Sequence, residues 1–262
     1  MLELKLTAAG SSPLIAEEIK SVAQSFLGAE IPIVTATTDE VKALAENIFC
    51  VCAVTQAEKL SRVVPADKLF VFDLHPTTKF FLDIARIPAG AEVCVFNNLL
   101  PYTKLLAEEC RALGVDKISF HSIAYDDMPA AEVHSRLHRA EYIIGVDRLL
   151  EHVLLKTYRA DLRPDVKIIA GKRAASLNSA GKLLAGIAEF YRIALAEEKN
   201  PRVALDVGKR ILKILKNASA KALIGQIGGN SSTTENFGGN ATLDEQLSMM
   251  DYLREKFLRL GA

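Results

Sequence analysis

The chain has 262 residues, 50% of them apolar, and its 32 basic side chains balance 32 acidic ones. That length and apolar content can build one large or two small cores, and zero net charge leaves no global field to draw the protein toward nucleic acid or a membrane surface. No run approaches the ~18 consecutive apolar residues of a bilayer span, and MLELKLTAAGSSP, with Glu3 in a short alternating run, reads as a first strand rather than a signal peptide, so a cytoplasmic protein is expected.

Short β-rich runs alternate with helical patterns along most of the chain. Strands are predicted at Leu2–Thr7, Ile31–Thr35, Ile48–Val54, Lys68–Phe72, Glu92–Phe96, Lys117–Ile123, Tyr142–Val146 and Val166–Ala170. FCVCAV, LFVF, YIIGV and KIIA are apolar on both faces, the pattern of a parallel sheet covered by helices on both sides. Helix starts lie between the strands. Ser12-Pro13 is an N-cap followed by proline in the first turn, Asp39 opens DEVKALAE, and Thr77 or Thr78 opens TTKFFLDIAR. Pro101 opens PYTKLLAEECRAL, which should stop at Gly114.

Four strands precede residue 75 and four follow residue 90. A closed eight-stranded barrel would need about 250 residues and eight helices, and here the strand–helix units end near residue 200. Two doubly wound α/β lobes facing a cleft are therefore predicted, residues 1–75 and 76–175. Helices over 176–224 would pack back on the lobes. Residues 199–221 hold seven Lys or Arg and one acid, Asp206, on a helical pattern whose other face is apolar. The segment 225–241, with five glycines, reads as a flexible linker. The tail, 242–262, starts with the capping box Thr242–Glu245 and carries a stripe of Leu243, Leu247, Met250, Leu253, Phe257 and Leu260. A stripe on a tethered helix must dock somewhere, and a homodimer is the expected place.

Motifs exclude more than they assign. G-x-G-x-x-G is absent, and SLNSAGKLL fails as a phosphate loop because Ser176 and Leu183 stand where glycine and a hydroxyl are needed. G-x-S-x-G is also absent. His134 and His138 have metal-ligand spacing on a helix, but their neighbours Arg136 and Arg139 are cationic, so exposed helix residues are expected. Cys50, Cys52, Cys94 and Cys110 match no zinc pattern and read as buried thiols. Asn217, Asn230 and Asn240 head N-x-S/T triplets that a cytoplasmic chain would not glycosylate. Asp126 and Asp127, before Pro129, read as capping and first-turn charge. No cofactor or metal is expected.

The remaining signal is positional. Parallel α/β sheets bind ligands beyond the carboxyl ends of their strands, and those ends are polar here. The first half offers Ser11 and Ser12, Thr55 with Gln56, and Asp73 with His75; the second offers Asn97 and Asn98, His121 and Tyr125, Asp147 and Arg148, then Lys172 and Arg173. Ser11, Ser12, Gln56, Asp73, His75, Asn97, Asn98, Tyr125, Asp147 and Arg148 are the candidate ligand contacts. Asn also serves turns and caps, so each asparagine has a second reading.

The succession LFVFDLHPTTKFFLDIARIPAGAEVCVFNNLLPYTKLLAEECRALGVDKISFHSIAYDDMP, then AEYIIGVDRLL and VKIIAGKRAASLNSAGKLL, resembles the N-terminal sensory region of bacterial enhancer-binding transcriptional regulators of the propionate-catabolism type, over roughly residues 1–195. The resemblance implies two Rossmann-like lobes in the manner of a periplasmic binding protein, and a module that senses a small intracellular metabolite. The family's PAS-like, ATPase and helix-turn-helix parts have no counterpart in these residues, so no nucleic-acid contact is expected. The leading expectation is a metabolite-sensing module of a signal transduction or transcription regulatory protein, binding a small polar, anionic ligand between the lobes. The alternatives are an isomerase or lyase using a carboxylate and histidine (Asp73, His75 or His121) in the same cleft, and an interaction protein working through its terminal helix.

Overall fold

A computed structural model describes residues 3–41, 48–226 and 241–260. It is mixed α/β and divides into two compact units, Met1–His75 with Ala174–Ala262, and Pro76–Arg173. Each unit holds a four-stranded, all-parallel sheet.

In the first unit, β1 (Lys5–Gly10), β2 (Ile33–Thr37), β3 (Ile48–Ala53) and β4 (Leu69–Phe72) lie in the order β2-β1-β3-β4. β2 starts two residues later than its composition suggests. Pro32 has no N–H to give the ladder, and it contributes only its carbonyl, to Leu6 N at 2.9 Å. Helix α1 (Pro13–Leu27) starts as expected, with Ser12 accepting a hydrogen bond from Ile15 N, and stops at Gly28, whose φ of 78° few other residues tolerate. Its apolar positions Ile19, Val22, Ala23 and Phe26 recur at helical spacing and are buried. The other sheet face packs Ala9, Cys50 and Cys52 against Leu60 of α2 (Val54–Leu60) and against Val64. Cover on both faces is why β3, IFCVCA, is apolar throughout. Of the helix expected from Asp39, residues 42–47 lie outside the described residues.

The chain leaves this unit through β5 (Leu74–Pro76) and returns through β10 (Arg173–Ala175), and these two short strands pair with each other. In between come α3 (Thr78–Ala85), β6 (Glu92–Asn97), α4 (Leu100–Ala112), β7 (Ser119–Ala124), α5 (Ala130–Arg139), β8 (Tyr142–Val146) and β9 (Lys167–Gly171). The sheet order, β7-β6-β8-β9, repeats that of the first unit. α3 and α4 cover one face through Phe80, Ile84, Leu106 and Cys110. α5 and the helical segment after β8 cover the other through Val133, Leu137, Leu150 and Leu154. That segment is α6 (Asp147–Leu149), a π-helical turn Leu150–Leu154, α7 (Leu155–Thr157) and a 3₁₀ turn Arg159–Asp161. α4 ends as expected before Gly114, at φ 83°. The acidic pair before α5 differs from expectation: no side chain caps α5, and Asp127 Oδ2 instead accepts Leu100 N at 2.7 Å, at the positive end of α4.

The returning chain forms α8 (Leu177–Ala196), α9 (Pro201–Gln226) and α10 (Leu243–Leu258), all in the first unit. α8 lies over the sheet, where Gly186 makes room for the Phe70 ring and Tyr191 Oη accepts Leu4 N at 3.2 Å. The tail corrects an expectation. Met250, Leu253 and Phe257 are buried, but against α8 and α9 of the same chain rather than in a homodimer. Glycines explain the docking. A Cβ at Gly181 would run into the Phe257 carbonyl oxygen, so glycine there lets α10 settle this closely, and one at Gly208 would displace the buried Gln246 side-chain amide. The capping box at Thr242 and Glu245 is formed, while the linker, 227–240, lies outside the described residues. Among the described residues no helix is long and apolar enough to cross a membrane.

Candidate functional site

A strand order of 2-1-3-4 reverses direction between its first and third strands, and the loops leaving those two strands diverge to opposite faces, opening a crevice at their carboxyl ends. Each unit has one. In the first unit it lies between the ends of β1 and β3, and in the second between those of β6 and β8.

In the first unit, Gly10 ends β1 hard against α1: a Cβ there would come within 2.8 Å of Ile15 C, closer than real Cβ atoms approach backbone. Ser11 is exposed beside it. Ser12 is half-buried and its hydroxyl oxygen caps α1. Gln56, in the first turn of α2 after β3, is half-buried and donates to Thr55 Oγ1 at 3.2 Å. Asp73 and His75 sit beyond β4, where Asp73 Oδ2 lies 2.8 Å from His75 Nε2, both side chains about half exposed. The Asp73 backbone is fixed by Ser176 N, donating to its carbonyl at 2.7 Å, and by the Ser179 hydroxyl oxygen, which its N–H reaches at 3.4 Å.

In the second unit, the two asparagines divide. Asn97 is 5% exposed and turns its Oδ1 toward Leu99 N at 3.4 Å, so its side chain is occupied by the turn into α4. Asn98 is half-buried, with only its carbonyl assigned, to Asp126 N at 3.0 Å. Tyr125 follows β7 in an aromatic group, 5.2 Å from Phe96 and 6.5 Å from Tyr158 between ring centres. Burial first, then Asp126 and Tyr158, push its phenol up to about 12, so it stays a neutral donor near pH 7. Asp147 and Arg148 open α6 at the end of β8, and Asp147 Oδ1 accepts Arg148 N at 2.7 Å. The π-helical turn follows at once, a geometry often found at functional sites. At the end of the neighbouring strand β9, the Arg173 guanidinium lies 5.7 Å from the centre of the Tyr102 ring.

Three features escape the sequence. Tyr158 belongs to the aromatic group because the segment after β8 folds back on β6, a long-range contact with no local pattern. His134 and His138 are not idle on a helix surface. They share one carboxylate, Asp161 Oδ2 at 2.8 Å and Oδ1 at 3.3 Å, which ties α5 to the 3₁₀ turn. The third is an open groove of about 690 Å³ beside α5, lined by Glu92, His121, Arg136 and Arg139 among others, at the amino ends of β6 and β8. Only His121 links that groove to the strand-end candidates, and the structure places it within β7, paired with Cys94, rather than at the strand's carboxyl end. Much of its wall is self-satisfied: Arg136 grips Glu132 and the Ser122 carbonyl, Arg139 holds Ser135, and Glu141 lies 3.7 Å from Arg163. The strand ends, set by topology rather than by hollow volume, remain the better candidate.

Among the described residues no three His, Cys, Asp or Glu side chains are arranged to hold a metal ion. All four thiols are buried, and burial pushes Cys50 and Cys110 up to about 12 and Cys52 and Cys94 up to about 11, far from a nucleophilic thiolate. Compared with known proteins, the chain matches no family model, no curated protein and no solved structure.

Proposed function

We propose that the chain is a sensing module that binds a small, polar, anionic metabolite at the carboxyl ends of its parallel strands and passes the bound state to a regulatory partner or domain. The observation that carries the reading is the duplicated 2-1-3-4 order, which gives each unit a crevice of the kind where parallel sheets take ligands. The cations Arg148, Lys172 and Arg173 follow adjacent strands β8 and β9, and Asn98 and Tyr125 add neutral donors, a set suited to a carboxylate or phosphate. Asp147 directs one oxygen at its own helix start, which lessens its repulsion of an anion. In the first unit Ser11 and Gln56 stand at the corresponding strand ends. The resemblance to sensory regions of transcriptional regulators points the same way. A ligand that binds one conformation of the module better than another shifts the population toward it, and that difference in affinity is what a signal requires. The test is a thermal-shift screen of small carboxylates and phosphates, followed by titration of Arg148→Ala. A hit that Arg148→Ala does not weaken removes the assignment.

A second reading, an isomerase or lyase, is favoured by the Asp73–His75 pair, in which a carboxylate 2.8 Å away orients an imidazole that could move a proton. Incubating a screening hit with the protein in deuterated water decides it. Incorporation of deuterium into the ligand that His75→Gln abolishes supports catalysis, and its absence leaves binding alone.

A further inference from the structure

The chain's charge is balanced overall but not evenly spread. Residues 199–221 hold seven of the 32 cations and one of the 32 acids, so this segment carries +6 and the remainder −6. The structure resolves what the segment does with that charge. The apolar face of α9, including Ala204, Ile211, Leu212 and Leu215, is spent in the core against α1, α8 and α10. The opposite face shows Arg202, Lys209 and Lys213 exposed and Lys216 half-buried. At 100° per residue these four fall within one narrow stripe, about 21 Å long at 1.5 Å per residue. Arg202, Lys209 and Lys213 form no ion pair with a described residue.

We propose that this stripe is a docking surface for an acidic helical segment of a partner protein. The proposal is independent of the ligand reading, since none of its residues is a candidate ligand contact. Charge complementarity requires an anionic partner, and three details select among anionic partners. Lys209, Lys213 and Lys216 recur at spacings of four and three, the period at which a partner helix presents carboxylates along one face. Asp206 is exposed within the same stripe; a polyphosphate backbone would meet it as a repulsion, whereas a peptide can place one cation opposite it and so fix its register. The stripe has no aromatic side chain on which bases could stack, and its members Arg202, Asp206, Lys209, Lys213 and Lys216 offer no apolar side chain to insert into a lipid surface, the exposed Val203 and Leu223 of α9 being single and 20 residues apart.

The experiment uses the full chain and fluorescence anisotropy with four probes: a helical Glu/Ala peptide with one central Lys, the same peptide with Glu in place of that Lys, a duplex DNA of arbitrary sequence, and vesicles rich in phosphatidylserine. The Lys-bearing peptide should bind tightest and weaken about tenfold or more as salt screens the charges. Lys209→Glu with Lys213→Glu should abolish binding while circular dichroism and melting stay unchanged. Asp206→Ala should erase the preference for the Lys-bearing peptide over the all-Glu one. Tighter binding of DNA or vesicles, peptide binding that survives the double reversal, a preference that survives Asp206→Ala, or no peptide binding at all overturns the proposal.

Discussion

Gly10 and the cysteines show how much a single position can carry. Gly10 has an ordinary φ, so its requirement is space: the α1 backbone at Ile15 and Ala16 occupies the volume a side chain would need. Gly10→Ala should cost about 1–3 kcal/mol by overpacking, read as a lower urea midpoint with an unchanged m-value. The thiols give a pH effect of definite sign. Their folded values, about 11 to 12, lie above those of the unfolded chain, so the folded state holds its protons longer. Stability from this source is fully present below about pH 8.5 and falls as pH rises, by at most ~1.4 kcal/mol per pH unit for each thiol. Urea unfolding under reductant at pH 8 and pH 10 should show the loss, and Cys50→Ala should make the fall shallower. A pH-independent midpoint would contradict it.

Among the elements, α10 depends most on exact fit. A 16-residue helix is marginal in water without packing, and its hold comes from Met250, Leu253 and Phe257 together with the close approaches at Gly181 and Gly208. Gly181→Ala meets backbone, the Phe257 carbonyl, which cannot swing aside as a side chain could. It should push α10 off α8, so that amide exchange across 243–258 speeds up while β6–β9 keep their protection. Leu253→Ala should destabilise the first unit by about 2–5 kcal/mol through the cavity it leaves. If α10 exchanges equally fast in wild type and Gly181→Ala, the glycine contact is not what holds it.

Two sheets with one strand order make each unit a complete α/β layer structure in its own right. Ligand at about a hundred times its dissociation constant should add roughly 2.7 kcal/mol to the state that binds it. Arg148→Ala should reduce that thermal shift, and Gln56→Ala, at the corresponding strand end of the first unit, reports whether that unit binds ligand as well. A loss confined to Arg148→Ala would restrict the site to the second unit.

What the sequence by itself determined is the set of elements and their class. Two-sided apolar runs such as FCVCAV and YIIGV can only be stable where helices cover both faces, and Ser12-Pro13, Gly114 and Thr242–Glu245 mark helix ends through purely local chemistry. The polar strand ends were equally legible, since a strand's carboxyl end is a position in the sequence. Tertiary structure decided which of those side chains are spare. Asn97 and Asn98 are the same residue type side by side, yet only the first is consumed by the turn; Asp127 serves α4, 27 residues away, rather than the helix it precedes; His134 and His138 meet a carboxylate more than 20 residues later. The terminal stripe announced that it would be buried but not against what, because an amphipathic period records that an apolar face needs cover, while the identity of the cover depends on where Gly181 on α8 allows another backbone to come close.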